Sequence, residues 1–160
     1  MAKYHFTRTE KTTTDPQVID NIILNGKYTG LALCRNDEPY IVTLSYGYDR
    51  EKHVLYCHCA KKGLKLDFIR ANKRVCGTVI LDGGYIQEEC GQPYQSIIFR
   101  GTADEVHDIE EKKHAMLVLL NHLEDDPGIV RERSLKNDKI YNSFGILRIN
   151  LEEITAKKGR

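Results

Sequence analysis

The sequence predicts a single, mainly β domain in which six antiparallel strands form a barrel and helices pack around it. Short runs rich in β-branched and aromatic residues recur along the chain, separated by turn-forming segments. Three other stretches repeat apolar residues at helical spacing. The 160 residues suffice for one hydrophobic core, and no internal repeat or linker divides them. We therefore expect one domain over residues 1–160.

Three helices are expected, over residues 16–25, 63–72 and 109–123. The first begins after Asp15, a residue type that caps helices well, with Pro16 in the first helical position. Gly26 ends it. In the second and third, apolar residues lie three and four positions apart, which gives each helix one apolar face.

Six strands are expected, over residues 28–34, 40–48, 53–59, 75–81, 94–103 and 145–151. Short polar turns separate the first three, so we expect them to form an antiparallel meander. An irregular stretch follows Asp82 and ends near Pro93. A polar stretch follows the third helix, and the last strand closes the barrel.

Charge and hydropathy exclude several classes of function. Lys and Arg total 24 against 23 Asp and Glu, so the net charge is +1 and no global field attracts nucleic acid or acidic lipid. No apolar run approaches the roughly 20 residues that span a bilayer. The N-terminus has neither the apolar stretch nor the cleavage site of a secretory signal. We expect a soluble, cytoplasmic protein that binds neither membranes nor nucleic acid.

The five cysteines are an odd set and lie mostly in apolar, β-like runs, so we expect reduced, buried thiols rather than disulfides. In Cys57-His58-Cys59, strand alternation turns both thiols to one face and the imidazole to the other. A zinc site needs converging ligands and a second pair, so we expect no metal site. These residues alone favour a packing role for His58 over a functional one.

Other familiar catalytic patterns are missing from the sequence. His107, His114 and His122 surround the third helix, where the last two lie two turns apart, so we expect a solvated helix surface rather than an ion site. Neither Ser45 nor Ser96 lies in a nucleophile elbow, and neither a dinucleotide fingerprint nor a phosphate-binding loop occurs. Hydrolase, kinase and Rossmann-type functions therefore have no support in the sequence.

Three lysines, Lys61, Lys62 and Lys65, surround the start of the second expected helix. A helix N-terminus already carries about half a positive charge, so these cations are unfavourable there unless an anion lies among them. A phosphate fits, because backbone N–H groups and the dipole point at it and Gly63 allows a close approach. These residues alone leave open whether they bind a phosphate or only keep an exposed helix soluble.

Longer segments resemble a known family. They are residues 39–48, residues 55–65 and residues 72–76. These segments resemble the flavin-binding split barrels related to pyridoxamine 5′-phosphate oxidase, and most of all the nitroimidazole-resistance (Nim) proteins. The Nim elements His-Ser-Ala-x-x-Gly-x-Lys, Tyr-x-Ser-Val-x-x-x-Gly and Ile-Thr-Gly-Lys have counterparts at residues 58–65, 94–101 and 154–157. The resemblance covers the chain from about residue 15 to residue 158.

The resemblance implies a six-stranded antiparallel split barrel that forms a homodimer and holds FMN in two symmetric clefts between the subunits. It implies that one strand lies along the isoalloxazine ring, and this strand contains Val42, Thr43, Leu44, Ser45 and Tyr46.

Further cofactor contacts are carried over from the same resemblance. His58, Cys59 and Lys65 would contact the ring edge, the ribityl chain and the phosphate. Lys61 or Lys62 would help to neutralise the phosphate.

Two contacts come from later in the chain. Ser96 would lie near the ring, and Lys157 occupies the position of a flavin-contacting C-terminal residue. The chain also departs from the Nim pattern, because Cys59 replaces a usual serine, Ala156 replaces a usual glycine and residues 88–93 form a shorter segment.

The activity that the resemblance implies is an FMN-dependent oxidoreductase, which passes electrons from a reduced nicotinamide to a small acceptor such as a nitroaromatic. His58 is the candidate catalytic residue, because an imidazole with a pKa of about 6.5 exchanges protons near neutral pH. Vitamin B6 oxidation is not expected, since residues 157–160 lack the Arg-x-x-Arg-like region of true pyridoxamine phosphate oxidases. The alternative is a non-catalytic protein that carries or senses FMN, a deazaflavin or haem.

Overall fold

A computed structural model describes residues 9–159 of the chain. Arg160 and the polar residues 1–8, which carry most of the expectation that no signal sequence is present, lie outside the described residues. The strands are β1 (Thr12–Thr13), β2 (Tyr28–Arg35), β3 (Glu38–Ser45), β4 (Gly47–Asp49), β5 (Val54–Cys59), β6 (Arg74–Asp82), β7 (Tyr94–Glu105) and β8 (Gly145–Gly159). The helices are α1 (Pro16–Asn25), α2 (Leu64–Ala71), α3 (Ile109–Leu123), α4 (Pro127–Ser134) and α5 (Asp138–Tyr141).

The three predicted helices are confirmed as α1, α2 and α3, each with bounds within one residue of those expected. Asp15 caps α1 as predicted, because its carboxylate accepts a hydrogen bond from the Gln17 N–H at 2.9 Å. The helices α4 and α5 were not predicted and lie in the polar stretch after α3. In residues 9–159, no helix is long and apolar enough to cross a bilayer.

All six predicted strands are present. The predicted strand 40–48 corresponds to β3 and β4 together, and the other five correspond to β2, β5, β6, β7 and β8. The predicted strand 40–48 is interrupted at Tyr46, which leaves the three-residue β4 on its own. The last strand, β8, continues to Gly159, well beyond the predicted end at Leu151, because its second half pairs with β7 and with β1.

The pairing of the strands explains why the barrel is split. The sheet order is β3-β2-β6-β7-β8-β5-β4. The predicted antiparallel meander is confirmed, because β2 pairs with β3 and β4 pairs with β5, but the break at Tyr46 places its two halves at opposite ends of this order. Since β3 and β4 lie at opposite ends of this order and only Tyr46 separates them in sequence, the sheet must curl until its edges meet. Among the described residues these edges do not pair, which gives a split barrel.

Two apolar clusters lie on opposite sides of the barrel wall. The barrel interior contains the inward side chains of the strands and is covered by α1 and α2 through residues such as Ile22 and Phe68. The second cluster lies outside the wall, where α3 covers Tyr56 of β5 and Ile146 of β8 with residues such as Leu119. The outer surface of β5 is therefore buried wherever α3 reaches it.

Two histidines of α3 face the barrel instead of solvent, so the expected solvated surface is wrong for them. His114 donates from Nε2–H to the carboxylate of the buried Asp49 at 2.6 Å. His122 donates from Nε2–H to the Gly26 carbonyl at 2.7 Å. Both contacts join residues more than 60 positions apart, which a sequence pattern does not reveal. His107, just before α3, is exposed.

The cysteines are free thiols in the described part of the chain. Cys57 and Cys59 are buried and His58 is exposed on the opposite face, as the alternation predicts. The expectation of buried thiols is wrong for Cys34 and Cys90, which are exposed, because one faces outward on β2 and the other lies in the irregular segment after β6.

Candidate functional site

A cleft of about 310 Å³ opens where the barrel is split. Its walls are the end of β3, His58 of β5 and the C-terminal half of α3. The residues that line it are Thr43, Leu44, Ser45, His58, Met116, Leu119, Leu120, Leu123 and Glu124. This β3–β5 cleft contains four of the residues expected to contact the cofactor.

Strand alternation decides which residues of β3 can contact a ligand in the cleft. Thr43 and Ser45 are exposed on the outer side, whereas Val42 and Leu44 pack against the barrel interior. Tyr46 is fully buried, and its hydroxyl donates to a carbonyl at the end of α1 at 2.6 Å. Thr43 and Ser45 can therefore offer side chains to a ligand, while Val42 and Tyr46 can offer only their backbones.

His58 lies at the end of an outward stripe of β5 that begins with Val54 and Tyr56. Those two residues are covered by α3, but His58 emerges beyond the cover and is exposed. Its imidazole contacts the Phe144 ring, with centroids 4.9 Å apart and planes at 55°. Partial burial lowers the pKa of His58 below its ordinary value. At pH 7 the ring is therefore neutral, with one nitrogen able to donate a hydrogen bond and the other able to accept one.

The three lysines lie around the start of α2, as predicted. Gly63 is the N-cap with a φ of 141°, a value that favours glycine, and no side chain caps the helix. Lys61 and Lys62 are exposed and Lys65 is half-buried, and none of the three makes a hydrogen bond or ion pair within the described part of the chain. This turn therefore combines backbone N–H groups that lack intrahelical acceptors with three unpaired ammonium groups, an arrangement suited to a phosphate.

Cys59 faces away from the β3–β5 cleft. It lines a separate cavity of about 120 Å³, which it shares with Lys61, Lys112 and Phe144. Burial raises the pKa of the Cys59 thiol, so the group is neutral at pH 7. Within residues 9–159, no three His, Cys, Asp or Glu side chains are grouped closely enough to hold a metal ion.

Ser96 and Lys157 lie directly opposite each other on β7 and β8. These strands are three and four places from β3 in the sheet order, which corresponds to about 14 and 19 Å along the sheet at about 4.8 Å per strand. Lys157 is also far along β8 from Ile146, the residue that pairs with His58. Within one chain, neither residue lines the β3–β5 cleft.

The outer face of β3, β2, β6 and β7, which we call the outer sheet face, is unusually apolar for a surface. Its large exposed residues are Tyr28 (64% exposed), Ile41 (69%), Ile80 (58%) and Ile98 (49%). Gly30 lies among them, paired with Thr43 on one side and Thr78 on the other, and its missing side chain allows another surface to approach the backbone. Exposed apolar residues that are concentrated on one face are typical of an interaction surface.

The sequence reasoning missed two parts of the cleft wall. The leucines of α3 were recognised as an apolar face, but nothing in their spacing shows that this face extends past the barrel to the cleft. Phe144, immediately before β8, was also missed, because its contact with His58 depends on the pairing of β8 with β5.

Nearly the whole chain matches one family model, described as pyridoxamine 5′-phosphate oxidase, over residues 15–158. The chain belongs to the pyridoxamine 5′-phosphate oxidase family. The match confirms the resemblance found in residues 39–48, 55–65 and 72–76, and the split barrel that the resemblance implied is the fold observed.

Three solved structures with the same fold are similar to this chain over most of its length. A proposed 5-nitroimidazole antibiotic resistance protein from Bacteroides thetaiotaomicron is 24% identical, with a TM-score of 0.78 over 92% of this chain and 86% of its own. The flavocytochrome Anf3 from Azotobacter vinelandii is 15% identical, with a TM-score of 0.80 over 97% of this chain and 72% of its own. An FAD- and haem-binding protein from Mycobacterium smegmatis is 18% identical, with a TM-score of 0.76 over 94% and 74%.

A curated relative is an uncharacterized protein of Rhizobium meliloti, 37% identical over 54 residues. The match spans 34% of this chain and 34% of that relative.

Proposed function

We propose that the chain binds FMN in the β3–β5 cleft and acts as an oxidoreductase that transfers electrons from a reduced nicotinamide to a small acceptor such as a nitroaromatic. The observation that carries this proposal is the convergence of Thr43, Ser45 and His58 in one cleft, with an uncapped, lysine-rich helix start at the end of the same strand β5. The first set suits a flat heteroaromatic ring, and the second suits a phosphate.

The donor set fits the two ends of FMN. Thr43 and Ser45 offer hydroxyl groups that donate or accept at a ring edge, and the apolar residues of α3 form a wall for a ring face. The three ammonium groups around Gly63 have no counter-ion in the described residues, and a phosphate dianion would supply it. Cys59 lies behind the strand, so we expect it to act through its backbone or from the separate cavity rather than beside His58.

The remaining predicted contacts support a homodimer with sites at the subunit interface. Ser96 and Lys157 do not line the cleft of their own chain, but a two-fold partner seated on the outer sheet face can bring them to it. Burial of the exposed isoleucines on that face gives such a dimer its apolar core. Each site would then consist of Thr43, Ser45 and His58 of one subunit with Ser96 and Lys157 of the other.

Bound FMN supplies a carrier for two electrons, so that one reduced nicotinamide and one proton reduce a nitro group to a nitroso group with loss of water. The side chains of the chain orient and shield the reactants. His58 is neutral at pH 7, so one ring nitrogen can donate a hydrogen bond to the acceptor and the other can accept a proton. The leucines of α3 exclude water from one side of the cleft.

A second candidate function is a non-catalytic carrier or sensor of FMN, a deazaflavin or haem. His58 favours the haem version, because its imidazole is exposed and makes no hydrogen bond within the described part of the chain. A neutral imidazole in this state is able to bind haem iron. The unpaired lysines favour a cofactor with a phosphate.

The absorption spectrum of the purified protein separates these candidates. Flavin bands that bleach with NADH or NADPH and recover when a nitroaromatic is added would support the enzyme. Flavin bands that never bleach would indicate a carrier, and a Soret band would contradict both flavin proposals. Phosphate analysis of the released flavin then distinguishes FMN from FAD, and mass spectrometry distinguishes both from a deazaflavin cofactor.

A further inference from the structure

The segment between α3 and β8 reaches the candidate site through its last residues. Phe144, which ends this segment, packs its ring against His58 at 4.9 Å and against Tyr141 at 6.0 Å. Phe144 also lines the 120 Å³ cavity behind β5, so its ring stands between that cavity and the imidazole. The Phe144 ring therefore shields one side of the His58 imidazole from water.

A buried lysine on α3 holds the backbone of this segment. Lys112 is only 6% exposed, and its Nζ donates to the carbonyl oxygens of Tyr141 at 3.3 Å and of Phe144 at 3.0 Å. No carboxylate pairs with Lys112 among the described residues. Burial of an ammonium group without a counter-ion is unfavourable, and the hydrogen bonds to the two carbonyls are the compensation that the structure provides.

The neighbouring Lys113 attaches the same segment in a different way. Its Nζ lies 2.9 Å from Asp138 on α5 and 2.9 Å from Glu110 on its own helix. Asp138 and Glu110 are mostly exposed, and such ion pairs contribute little because water screens them. Lys113 therefore forms only a weak link to α5 and bonds to no residue that touches His58. It is a matched control for Lys112.

We propose that Lys112 is a positioning residue for the candidate site: it fixes the carbonyls of Tyr141 and Phe144 and so holds the Phe144 ring against the His58 imidazole. Its importance for catalysis rests on the proposed function, which places His58 beside the electron acceptor. The contact itself exists in the free protein and can be tested without a cofactor.

The lowered pKa of His58 agrees with this arrangement. Its cause is partial burial. The charged or titratable groups that line the cleft and the cavity behind Phe144 are Glu124 at the end of α3, Lys61 after β5, Arg70 of α2, Glu105 of β7, His107 before α3 and Lys112 of α3. On β3, the facing residues Thr43 and Ser45 are neutral. Loss of the Phe144 contact should therefore hydrate the imidazole and raise its pKa toward the ordinary value.

The test is an NMR titration of His58 in the flavin-free protein, combined with measurement of the cross-relaxation between the His58 and Phe144 rings. We expect Lys112→Met to weaken the ring contact and to raise the pKa of His58, and Phe144→Ala to raise it as well. Lys113→Met should leave both readouts unchanged. Loss of the Lys112 charge also raises this pKa directly, so the decisive measurement is Lys112→Met in the Phe144→Ala background, where we expect most of the rise seen with Phe144 present to disappear.

Two results would overturn the proposal. One is an unchanged His58 pKa and ring contact in Lys112→Met; the other is a rise that persists undiminished in the Phe144→Ala background, which would mean a direct charge effect. Should Lys112→Met fail to fold, Phe144→Leu tests the same contact, and an unchanged His58 pKa there overturns the proposal. None of these readouts involves FMN, so they fail or succeed independently of the flavin spectrum.

Discussion

A cofactor site shared by two subunits predicts that two inactive variants restore each other. Ser45→Trp fills the β3–β5 cleft from its edge. Lys157→Glu places a carboxylate on β8, opposite Ser96 of β7. In the proposed dimer the two residues belong to different half-sites, because Ser45 lines the cleft of its own chain and Lys157 does not. We therefore expect each purified variant to lose most of its FMN while remaining a dimer.

The size of the restoration follows from the symmetry. Random exchange of subunits in an equal mixture makes about half of all dimers mixed, and each mixed dimer has one intact site and one doubly altered site. FMN occupancy should therefore recover to about a quarter of the wild-type value. Absorption of protein-bound flavin after exchange in mild denaturant and gel filtration measures this fraction.

The control is the same mixture without exchange, which should stay flavin-free. If exchange is verified by mass-tagged subunits and the mixture still binds no flavin, Ser45 and Lys157 serve the same chain and the half-site reasoning fails. If Lys157→Glu alone retains its flavin, Lys157 is outside the site.

Three further predictions concern the phosphate site, the interface and pH. Lys65→Ala should lose most bound FMN on dialysis, whereas Lys136→Ala should not, and equal flavin content in both would remove Lys65 from the phosphate site. Ile80→Lys should weaken the dimer by at least about 2 kcal/mol, roughly 30-fold, because more than half of this side chain remains to be buried in each of two subunits; unchanged sedimentation would place the interface elsewhere. Burial alone would raise the pKa of Asp49, but hydrogen bonds from His114 and the Lys52 N–H lower it below its ordinary value. This carboxylate stabilises the fold above its unfolded pKa of about 3.9 and loses the effect as the pH falls through its folded pKa, so thermal melts at pH 3–7 should show a smaller acid loss in His114→Leu.

Local signals predicted the elements and the pairing of strands that are neighbours in sequence, but not the long-range pairing of β2 with β6 and of β5 with β8. Asp15 followed by Pro16 marked the start of α1, and the same pair at Asp126 and Pro127 starts α4, where it was not recognised as a cap. The polar composition of the following residues hid the helix, since α4 buries none of its residues fully. The interruption at Tyr46 was also missed, because the alternation of apolar residues continues without a break from β3 into β4.

The candidate site was predictable where it depended on alternation and unpredictable where it depended on distant pairing. The opposite faces of His58 and Cys59 follow from strand geometry alone. The approach of His58 to Ser45 and to Phe144 requires the order of strands in the sheet. For the same reason, the sequence could not show that Ser96 and Lys157 do not line the cleft of their own chain.

The single residue between the two sheet edges has a consequence for the motions of the cleft. Tyr46 joins β3 to β4, and its hydroxyl is fixed by the Ile23 carbonyl at the end of α1 while its ring packs on His122 of α3. The separation of the cleft walls is therefore set by the docking of two helices on a side chain that does not line the cleft. We therefore expect the cleft to open together with a loosening of α1, so that substitutions in this remote helix change how fast a ligand enters and leaves.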